Sequence, residues 1–374
     1  MTATSELLVL RRPETIRERA ETLFRAGLEG ELEHFAIELD RLPDVAREVA
    51  SVTLAAYPDR RVPVHGRFRH FLAGGIDRLR LLERRLEGLS EGEKLLARVE
   101  LAITSVLLDA GAGPAWRYRE EGTGLLFSRS EGLAVASFHM FVEGKFSHEP
   151  ERPLQATAEG LSRVTEEEIE RAFQASPENP LVGVPGRARL MRSLAGAGPV
   201  RLGRFFDFRR ERISATELLE AVLERMGLED VWPHPNFGLV PFHKLSQWLT
   251  YSLLEPLSLS GVGVTGIEEL TGLAEYRNGG LFLDLDVLRP KHPAVLGRTH
   301  PVGSEVVVEW RALTVALLDR VAPLVRAELG MDEVSLPLAK ILEGGTWRAG
   351  RVVAERLRAE GRPPLQVLSD GTVF

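Results

Sequence analysis

Apolar residues recur at helical spacing along most of this chain, and proline or glycine marks the ends of the segments. Residues 13–29 show the pattern, with Pro13 near the first turn and Ile16, Ala20 and Leu23 on one face. Residues 35–53 repeat it. Few segments alternate apolar and polar residues as half-buried strands do. We therefore predict a mainly α protein, a multi-helix globular fold with a few short strands.

The length of 374 residues suits one large domain or two of ordinary size. A polar, proline-containing segment at 148–157 is the best candidate for a boundary. We predict an N-terminal helical part at 1–150 and a C-terminal helical part at 151–374. The two parts are expected to form one compact unit with a site between them.

Composition excludes several classes of function. The net charge of -7 argues against a nucleic-acid partner. The absence of cysteine excludes disulfides, thiolate metal sites and a cysteine nucleophile. No apolar run is long enough for a bilayer, and the first residues lack the order of a signal peptide, so we expect a cytoplasmic protein without a membrane partner. The nine histidines are scattered, so neither a metal nor another cofactor is predicted. The oligomeric state stays open.

The stretch 109–147 combines a small-residue turn, an aromatic and charged loop, and an apolar run. Ser130 precedes that run as an N-cap would, which points Arg129 and Glu131 at a helix N-terminus, a position that favours anions. A capped helix after a loop is the alternative. Trp116 lies in the same glycine-rich loop, and we include it among the candidate binding residues.

Two further segments contribute candidates for substrate binding. Arg67 and His70 lie in a short loop-to-helix passage, where anion binding and simple packing are equally good interpretations. Residues 242–254 are predicted to be a helix that carries His243, Lys244 and Trp248. Polar groups need partners in a dry core, so this mixture favours a pocket wall.

The segment 270–288 supplies the densest set of candidates. They are Glu275, Tyr276, Arg277, Asn278, Asp284 and Asp286. The two aspartates alternate with Leu283, Leu285 and Val287, which predicts a short extended piece. The alternative is a surface ion pair and two solvent-facing aspartates.

The chemistry suggested by these groups is hydrolysis of a glycosidic bond in a phosphorylated sugar. A carboxylate steadies an oxocarbenium-like centre and positions water, arginines hold a phosphate, and aromatic rings cover a planar group. No serine-nucleophile motif or P-loop is present. The GVGVTG segment at 261–266 matches GxGxxG but lacks the strand before it and the helix after it.

Four segments of the chain resemble a family named for fungal uracil catabolism. They are DAGAGPAWRYRE, TGLLFSRSEGLAVASFHMF, LTGLAEYRNGGLFLDLDVL and the ending SDGTVF. The resemblance covers nearly the whole chain. It implies an enzyme in a non-reductive route, in which uracil is ribosylated and then degraded through a ribosylurea-type intermediate.

The segment LTGLAEYRNGG is also similar to the LTxFADYRVPQ stretch of queuosine-salvage nucleosidases, which are helical and related to DNA glycosylases. This similarity puts Glu275 at the acidic position beside the Tyr276-Arg277 pair. The chain departs from that pattern after Arg277. We therefore predict an N-glycoside hydrolase of a uracil-derived ribosyl phosphate, with Glu275, Asp284 or Asp286 as the catalytic carboxylate.

The other candidates are assigned to substrate binding. Arg277, Arg129 and Arg67 are predicted to bind phosphate. Trp116, Tyr276 and Trp248 are predicted to pack on the planar group. The remaining predicted binding residues are His70, Glu131, His243, Lys244 and Asn278.

Two alternatives remain at this point. One is an amidohydrolase that opens the ring of a uracil derivative, with a carboxylate, a histidine and a metal activating water. The other is a protein that binds a uracil metabolite without turning it over. In every case the partner is a small molecule.

Overall fold

Helices form in this protein where helical periodicity coincides with signals for helix ends. Thr165 caps a helix at Glu166–Ala172 in a reciprocal capping box with Glu168. Gly227 ends another helix in the left-handed conformation, at φ 63°, and donates its N–H to the carbonyl of Leu223. Both ends agree with the sequence, and the predicted mainly α fold is confirmed.

The computed structural model describes residues 3–196, 200–208 and 210–368. The helices are α1 (Ala3–Leu10), α2 (Pro13–Leu28), α3 (Leu42–Ala56), α4 (Arg67–His70), α5 (Arg78–Leu86), α6 (Glu91–Leu107), α7 (Arg129–Val142), α8 (Ala158–Ser162), α9 (Glu166–Ala172), α10 (Val184–Gly196), α11 (Ala215–Met226), α12 (Lys244–Leu259), α13 (Tyr276–Asp284), α14 (Ala294–Gly297), α15 (Glu305–Leu329), α16 (Leu338–Ile341) and α17 (Trp347–Leu357).

The strands are two to four residues long and pair only in twos. They are β1 (Phe35–Ile37), β2 (Tyr118–Arg119), β3 (Leu126–Phe127), β4 (Arg212–Ser214), β5 (Val231–His234), β6 (Gly238–Pro241), β7 (Gly263–Thr265), β8 (Leu288–Pro290), β9 (Thr299–Pro301) and β10 (Gln366–Leu368). The pairs β1–β8, β2–β3 and β5–β6 are antiparallel, and β4–β7 and β9–β10 are parallel.

The chain divides into two compact units, each discontinuous in sequence. Unit 1 contains residues 3–65, 229–247 and 266–368, and unit 2 contains 66–228 and 248–265 within the described residues. The predicted boundary near residue 150, with a site between two parts, stays a prediction. None of the helices in the described ranges combines the length and apolar composition that a bilayer crossing needs.

Unit 1 is built around α15, a helix of 25 residues. Its side chains are buried along most of its length, and α2, α3 and α13 pack on it. Helix α17 packs on α13, where Gly350 of α17 lies against the backbone of Arg277. This close approach fixes the short helix that begins beside Glu275.

Unit 2 has its most buried segment in α6 and α7, which pack on each other. Twelve residues of α6 are buried, from Leu95 to Leu107. Helix α10 packs against α8 and α9. Helix α7 therefore packs against a buried, largely apolar helix.

Three local predictions are wrong. Residues 35–53 are not one helix, because β1 pairs with β8 and α3 starts only at Leu42, with Pro43 in its first turn. Ser130 is not the N-cap of α7, since that position is Ser128. Asp284 is not in an extended segment, because α13 continues to this residue.

Replacement of Gly350 by alanine is expected to destabilise unit 1. A Cβ at this position would overlap the carbonyl oxygen of Arg277, so α17 and α13 would have to separate. We expect Gly350→Ala to lower the free energy of unfolding by about 1–3 kcal/mol, measured by urea denaturation.

The matched control is Gly92→Ala on α6, where an added Cβ meets no atom within 4 Å. This change should be neutral or stabilising by up to about 1 kcal/mol. Equal effects of the two substitutions would show that α13 and α17 are not tightly packed.

Candidate functional site

Glu275 in unit 1 lies immediately before α13 and caps its N-terminus. Its Oε2 accepts the backbone N–H of Arg277 at 2.9 Å, and its Oε1 accepts that of Asn278 at 2.5 Å. The residues that are preferred for such a cap are Asn, Asp, Ser and Thr, whose side chains are shorter. Capping alone therefore does not account for a glutamate at this position.

Glu275 is buried, with 7% of its surface exposed. Burial raises its pKa above the ordinary value, against the backbone N–H groups of Arg277 and Asn278 and the charges of Lys244 and Arg277, which lower it. Carboxyl groups with a raised pKa are the ones that exchange protons near neutral pH. The raised pKa of Glu275 makes it a candidate for a general acid or base.

Asn278 lies in the first turn of α13 and carries an orphaned oxygen. Its Nδ2 donates to the carbonyl of Leu273 at 3.1 Å, whereas its Oδ1 is buried and has no hydrogen-bond partner in the described part of the chain. Buried amide oxygens are nearly always paired. An N–H or O–H of a bound ligand would satisfy this one. Lys244 and Tyr276 are half-buried and give the region an accessible edge.

A buried ion pair between Asp230 and Arg311 fixes the surroundings of Glu275. The two Arg311 Nη atoms donate to the Asp230 carboxylate at 2.8 and 2.5 Å, and Arg311 Nε donates to the carbonyl of Ala274 at 3.2 Å. Asp230 also accepts the backbone N–H of Lys244 at 3.2 Å and the indole N–H of Trp232 at 2.6 Å. One carboxylate thereby positions the start of α12 and the residue before Glu275.

Burial raises the pKa of Asp230, but Arg311, Trp232 and the Lys244 backbone outweigh burial and hold that pKa below its usual range. Asp230 is therefore a permanent charge, unlike Glu275. Neither Asp230 nor Arg311 is among the residues predicted from the sequence. No local pattern marks them, since 81 residues separate the two partners.

His243 is a predicted binding residue, and both of its ring nitrogens form hydrogen bonds to backbone groups of unit 1. Its Nδ1 accepts the backbone N–H of Asp230 at 3.2 Å, and its Nε2 donates to the carbonyl of Leu10 at 3.0 Å. Burial lowers the pKa of the His243 ring, which favours its neutral form. These contacts give His243 a structural role beside Lys244.

The other two candidate carboxylates lie at and just beyond the far end of α13, with Asp284 roughly 13 Å from Glu275 along the helix at about 1.5 Å per residue. Asp284 accepts two hydrogen bonds from Arg358, at 2.7 and 2.6 Å. Asp286 is exposed and has a left-handed backbone with φ 58°. Of the three predicted catalytic carboxylates, Glu275 is the one at the start of α13.

The Arg277 guanidinium lies over the Tyr276 ring, 4.9 Å from its centroid, and its Nη1 donates to the carbonyl of Gly361 at 2.8 Å. Arg277 is buried and Tyr276 is half-buried. The structure therefore brings together Lys244, Glu275, Tyr276, Arg277 and Asn278 in unit 1.

In unit 2, Arg67 is fully buried and has an internal counter-charge. Its Nη1 donates to Asp109 at 2.6 Å and its Nε to the Ser105 hydroxyl at 2.7 Å. Burial lowers the pKa of Arg67, and the charges of Asp109 and Glu131 oppose that effect. The role of Arg67 in phosphate binding stays a prediction.

Trp248 adds an orphaned donor in unit 2. The Arg67 guanidinium lies 5.3 Å from the Trp248 ring centroid, and His70 meets the same ring edge-on at 6.3 Å. The indole Nε1 of Trp248 is buried and has no partner within residues 3–196, 200–208 and 210–368. A ligand acceptor at this atom would satisfy it.

The remaining candidates gather at the start of α7. Trp116 is buried against Gly132 and donates its indole N–H to the carbonyl of Phe173 at 2.9 Å. Arg129 is the first residue of α7 and has a left-handed backbone at φ 53°. Glu131 follows in the first turn. Binding by Trp116, Arg129 and Glu131 stays a prediction.

Comparisons with known proteins give the family. The family described as "Protein of unknown function (DUF1688)" matches residues 9–235 and 216–374. The chain belongs to this family. It is similar to Protein urg3 of Schizosaccharomyces pombe, with 39% identity over 96% of each chain. It is also similar to Uracil catabolism protein 4 of Lachancea kluyveri, with 33% identity over 92% of this chain and 93% of the relative. The resemblance inferred from the four segments is confirmed.

The raised pKa of Glu275 predicts a pH-dependent stability difference. Below the ordinary pKa of 4.5 the group is protonated in both the native and the unfolded state. Above it, the unfolded chain releases the proton first, so stability is lost as pH rises toward the native pKa. The loss is about 1.4 kcal/mol for each pH unit that separates the native pKa from the unfolded one. We expect wild type to lose more stability than Glu275→Gln between about pH 4.5 and pH 8.

Urea denaturation of both proteins across this range measures the difference. A gap between wild type and Glu275→Gln that stays constant with pH would contradict the raised pKa.

Proposed function

We propose that this protein hydrolyses the N-glycosidic bond of a uracil-derived ribosyl phosphate, with Glu275 as the catalytic carboxylate. The observation that carries the proposal is the burial of Glu275 at the start of α13, which raises its pKa. A carboxyl group of this kind can take a proton from water and pass it on.

The substrate class rests on the relatives. A protein that is 33% identical to this chain bears the name Uracil catabolism protein 4. The similarity of LTGLAEYRNGG to nucleosidase sequences adds the reaction type. A ribosylurea phosphate or a pyrimidine nucleotide would be consistent with both the name of this relative and the nucleosidase-like segment.

The proposed reaction breaks the bond between C1′ of the ribose and the nitrogen of the leaving group. The electron pair of that bond goes to the nitrogen, and C1′ gains oxocarbenium character that the Glu275 carboxylate stabilises. A water oxygen forms the new bond to C1′. Glu275 takes the proton of this water and passes it to the leaving nitrogen, so the carboxylate is regenerated.

Neighbouring groups of unit 1 supply binding in this proposal. The half-buried Lys244 attracts the phosphate, since an ammonium group is a common phosphate partner. Tyr276 covers the planar leaving group. The orphaned Oδ1 of Asn278 accepts one of the leaving group's N–H hydrogens.

Release of ribose 5-phosphate tests the proposal. Chelator-treated protein is incubated with ribosylurea 5-phosphate and, separately, with UMP, and the sugar phosphate is followed by mass spectrometry. We expect release by wild type and a loss of at least about 100-fold in Glu275→Gln and Glu275→Ser, because both variants lack the carboxylate. Glu275→Ser retains a good helix cap, so its helix should still form.

The matched control is Asp77→Asn, which changes a carboxylate that caps α5 by accepting the N–H of Arg80. This variant should keep full activity. Binding of both compounds without release, unchanged in Glu275→Gln, would contradict a hydrolase and support a metabolite-binding protein. Release that persists in both Glu275 variants would exclude Glu275 as the catalytic group.

A further inference from the structure

A separate cluster of titratable side chains lies at the start of α15 in unit 1. One ring nitrogen of His34, one oxygen of Glu305 and one oxygen of Glu309 all lie within 4.8 Å of one another, and His34 Nε2 is 3.7 Å from Glu305. Glu305 and Glu309 are four residues apart on α15, so they share one face of the helix. The proposed glycosidase reaction uses none of these groups. We propose that His34, Glu305 and Glu309 bind one divalent transition-metal ion.

His234 points to a missing ligand in this cluster. Its Nε2 lies 3.7 Å from a Glu305 oxygen and 3.7 Å from a Glu309 oxygen, too far for a hydrogen bond to either. The side chain is 1% exposed, and Nε2 has no hydrogen-bond partner in the chain as described. Buried ring nitrogens are normally paired, so this one needs an acceptor that lies among the carboxylates.

The tautomer of the His234 ring shows what kind of atom Nε2 needs as a partner. Its Nδ1 accepts the backbone N–H of Asn236 at 3.2 Å, which leaves the proton of the neutral ring on Nε2. His234 is therefore a donor toward the cluster and not itself a metal ligand. A water or hydroxide bound to the metal ion would accept this N–H, which assigns His234 a positioning role.

The cluster is held in place by contacts that do not depend on an ion. Glu309 is fully buried, and its two oxygens accept the backbone N–H groups of Glu33 at 3.0 Å and His34 at 3.1 Å. Gly303, just before α15, lies so close to Trp232 that any side chain there would overlap the indole ring. This contact brings β5, and with it His234, against the start of α15.

Charge and donor type favour a transition metal. Two carboxylates give the cluster a charge of about -2, which outweighs the partial positive charge of a helix N-terminus, roughly +0.5. One imidazole nitrogen with two carboxylates suits Zn²⁺ or Mn²⁺, whereas Ca²⁺ and Mg²⁺ take all-oxygen sets. The side chains of His34 and Glu305 are 19% and 29% exposed, so an ion can enter from solution.

Metal binding by the full-length, chelator-treated protein tests the inference. Isothermal titration with ZnCl₂ and with MnCl₂ measures affinity and stoichiometry, and thermal unfolding is recorded with and without each ion. We expect one ion per chain, with an affinity at least ten times lower in Glu305→Gln and in His34→Gln. The ion should raise the melting temperature of wild type but not of these variants.

His234→Asn should still bind the ion but about 10–100-fold more weakly, as expected for a group that orients a metal-bound water. The control is His292→Gln, because His292 is an exposed histidine 3.5 Å from Glu33 and outside the cluster. Its affinity should equal that of wild type. Glu309 is left unchanged because it also holds the backbone at residues 33 and 34.

Two results would overturn the inference. One is the absence of stoichiometric binding of either ion by wild type. The other is equal affinity in wild type, Glu305→Gln and His34→Gln. Either result would leave Nε2 of His234 with only its 3.7 Å contacts to Glu305 and Glu309. Because the readout is metal binding and not turnover, failure here is separate from failure of the proposed hydrolase.

Discussion

The buried ion pair between Asp230 and Arg311 is the interaction on which the arrangement of unit 1 depends. It joins the segment before β5, the first residue of α12, the long helix α15 and the carbonyl of Ala274. Loss of one partner would leave a buried charge uncompensated, which typically costs about 3–5 kcal/mol. The pair contacts segments next to both proposed sites: Arg311 holds the carbonyl of Ala274, the residue before Glu275, and Asp230 holds Trp232, which packs against Gly303 just before α15.

Two opposing effects act on the ionisation of the Glu275 carboxyl group. Backbone N–H groups of α13 favour its charged form, while burial disfavours that form and has the larger effect. Asn278 nearby has a buried oxygen that no described residue satisfies. Unfavourable features of this kind persist where the surrounding structure is rigid, and they are typical of functional sites.

The sequence predicted what local rules determine. The mainly α class, the cap at Thr165 and the helix end at Gly227 could all be identified from spacing and residue type. These features depend on residues within one or two turns of each other.

The features that could not be predicted depend on contacts between segments that are distant in the sequence. The strand β1 forms only because β8, more than 250 residues later, pairs with it. Helix α13 contains Gly279 and Gly280, which disfavour helices, but packing of Trp310 against Gly279 and Pro364 against Gly280 overrides that preference. For the same reason Asp230–Arg311 and the group of His34, Glu305 and Glu309 could not be recognised before the fold was known.

A crystal structure of the Glu275→Gln variant with ribosylurea 5-phosphate tests whether residue 275 acts on the glycosidic bond. We expect C1′ of the ribose to lie about 3–4 Å from the side-chain amide at position 275, a distance suited to reaction. We also expect an N–H of the urea group to donate to Asn278 Oδ1. A ligand bound away from the start of α13, or one with its ribose turned from position 275, would contradict a catalytic role of Glu275.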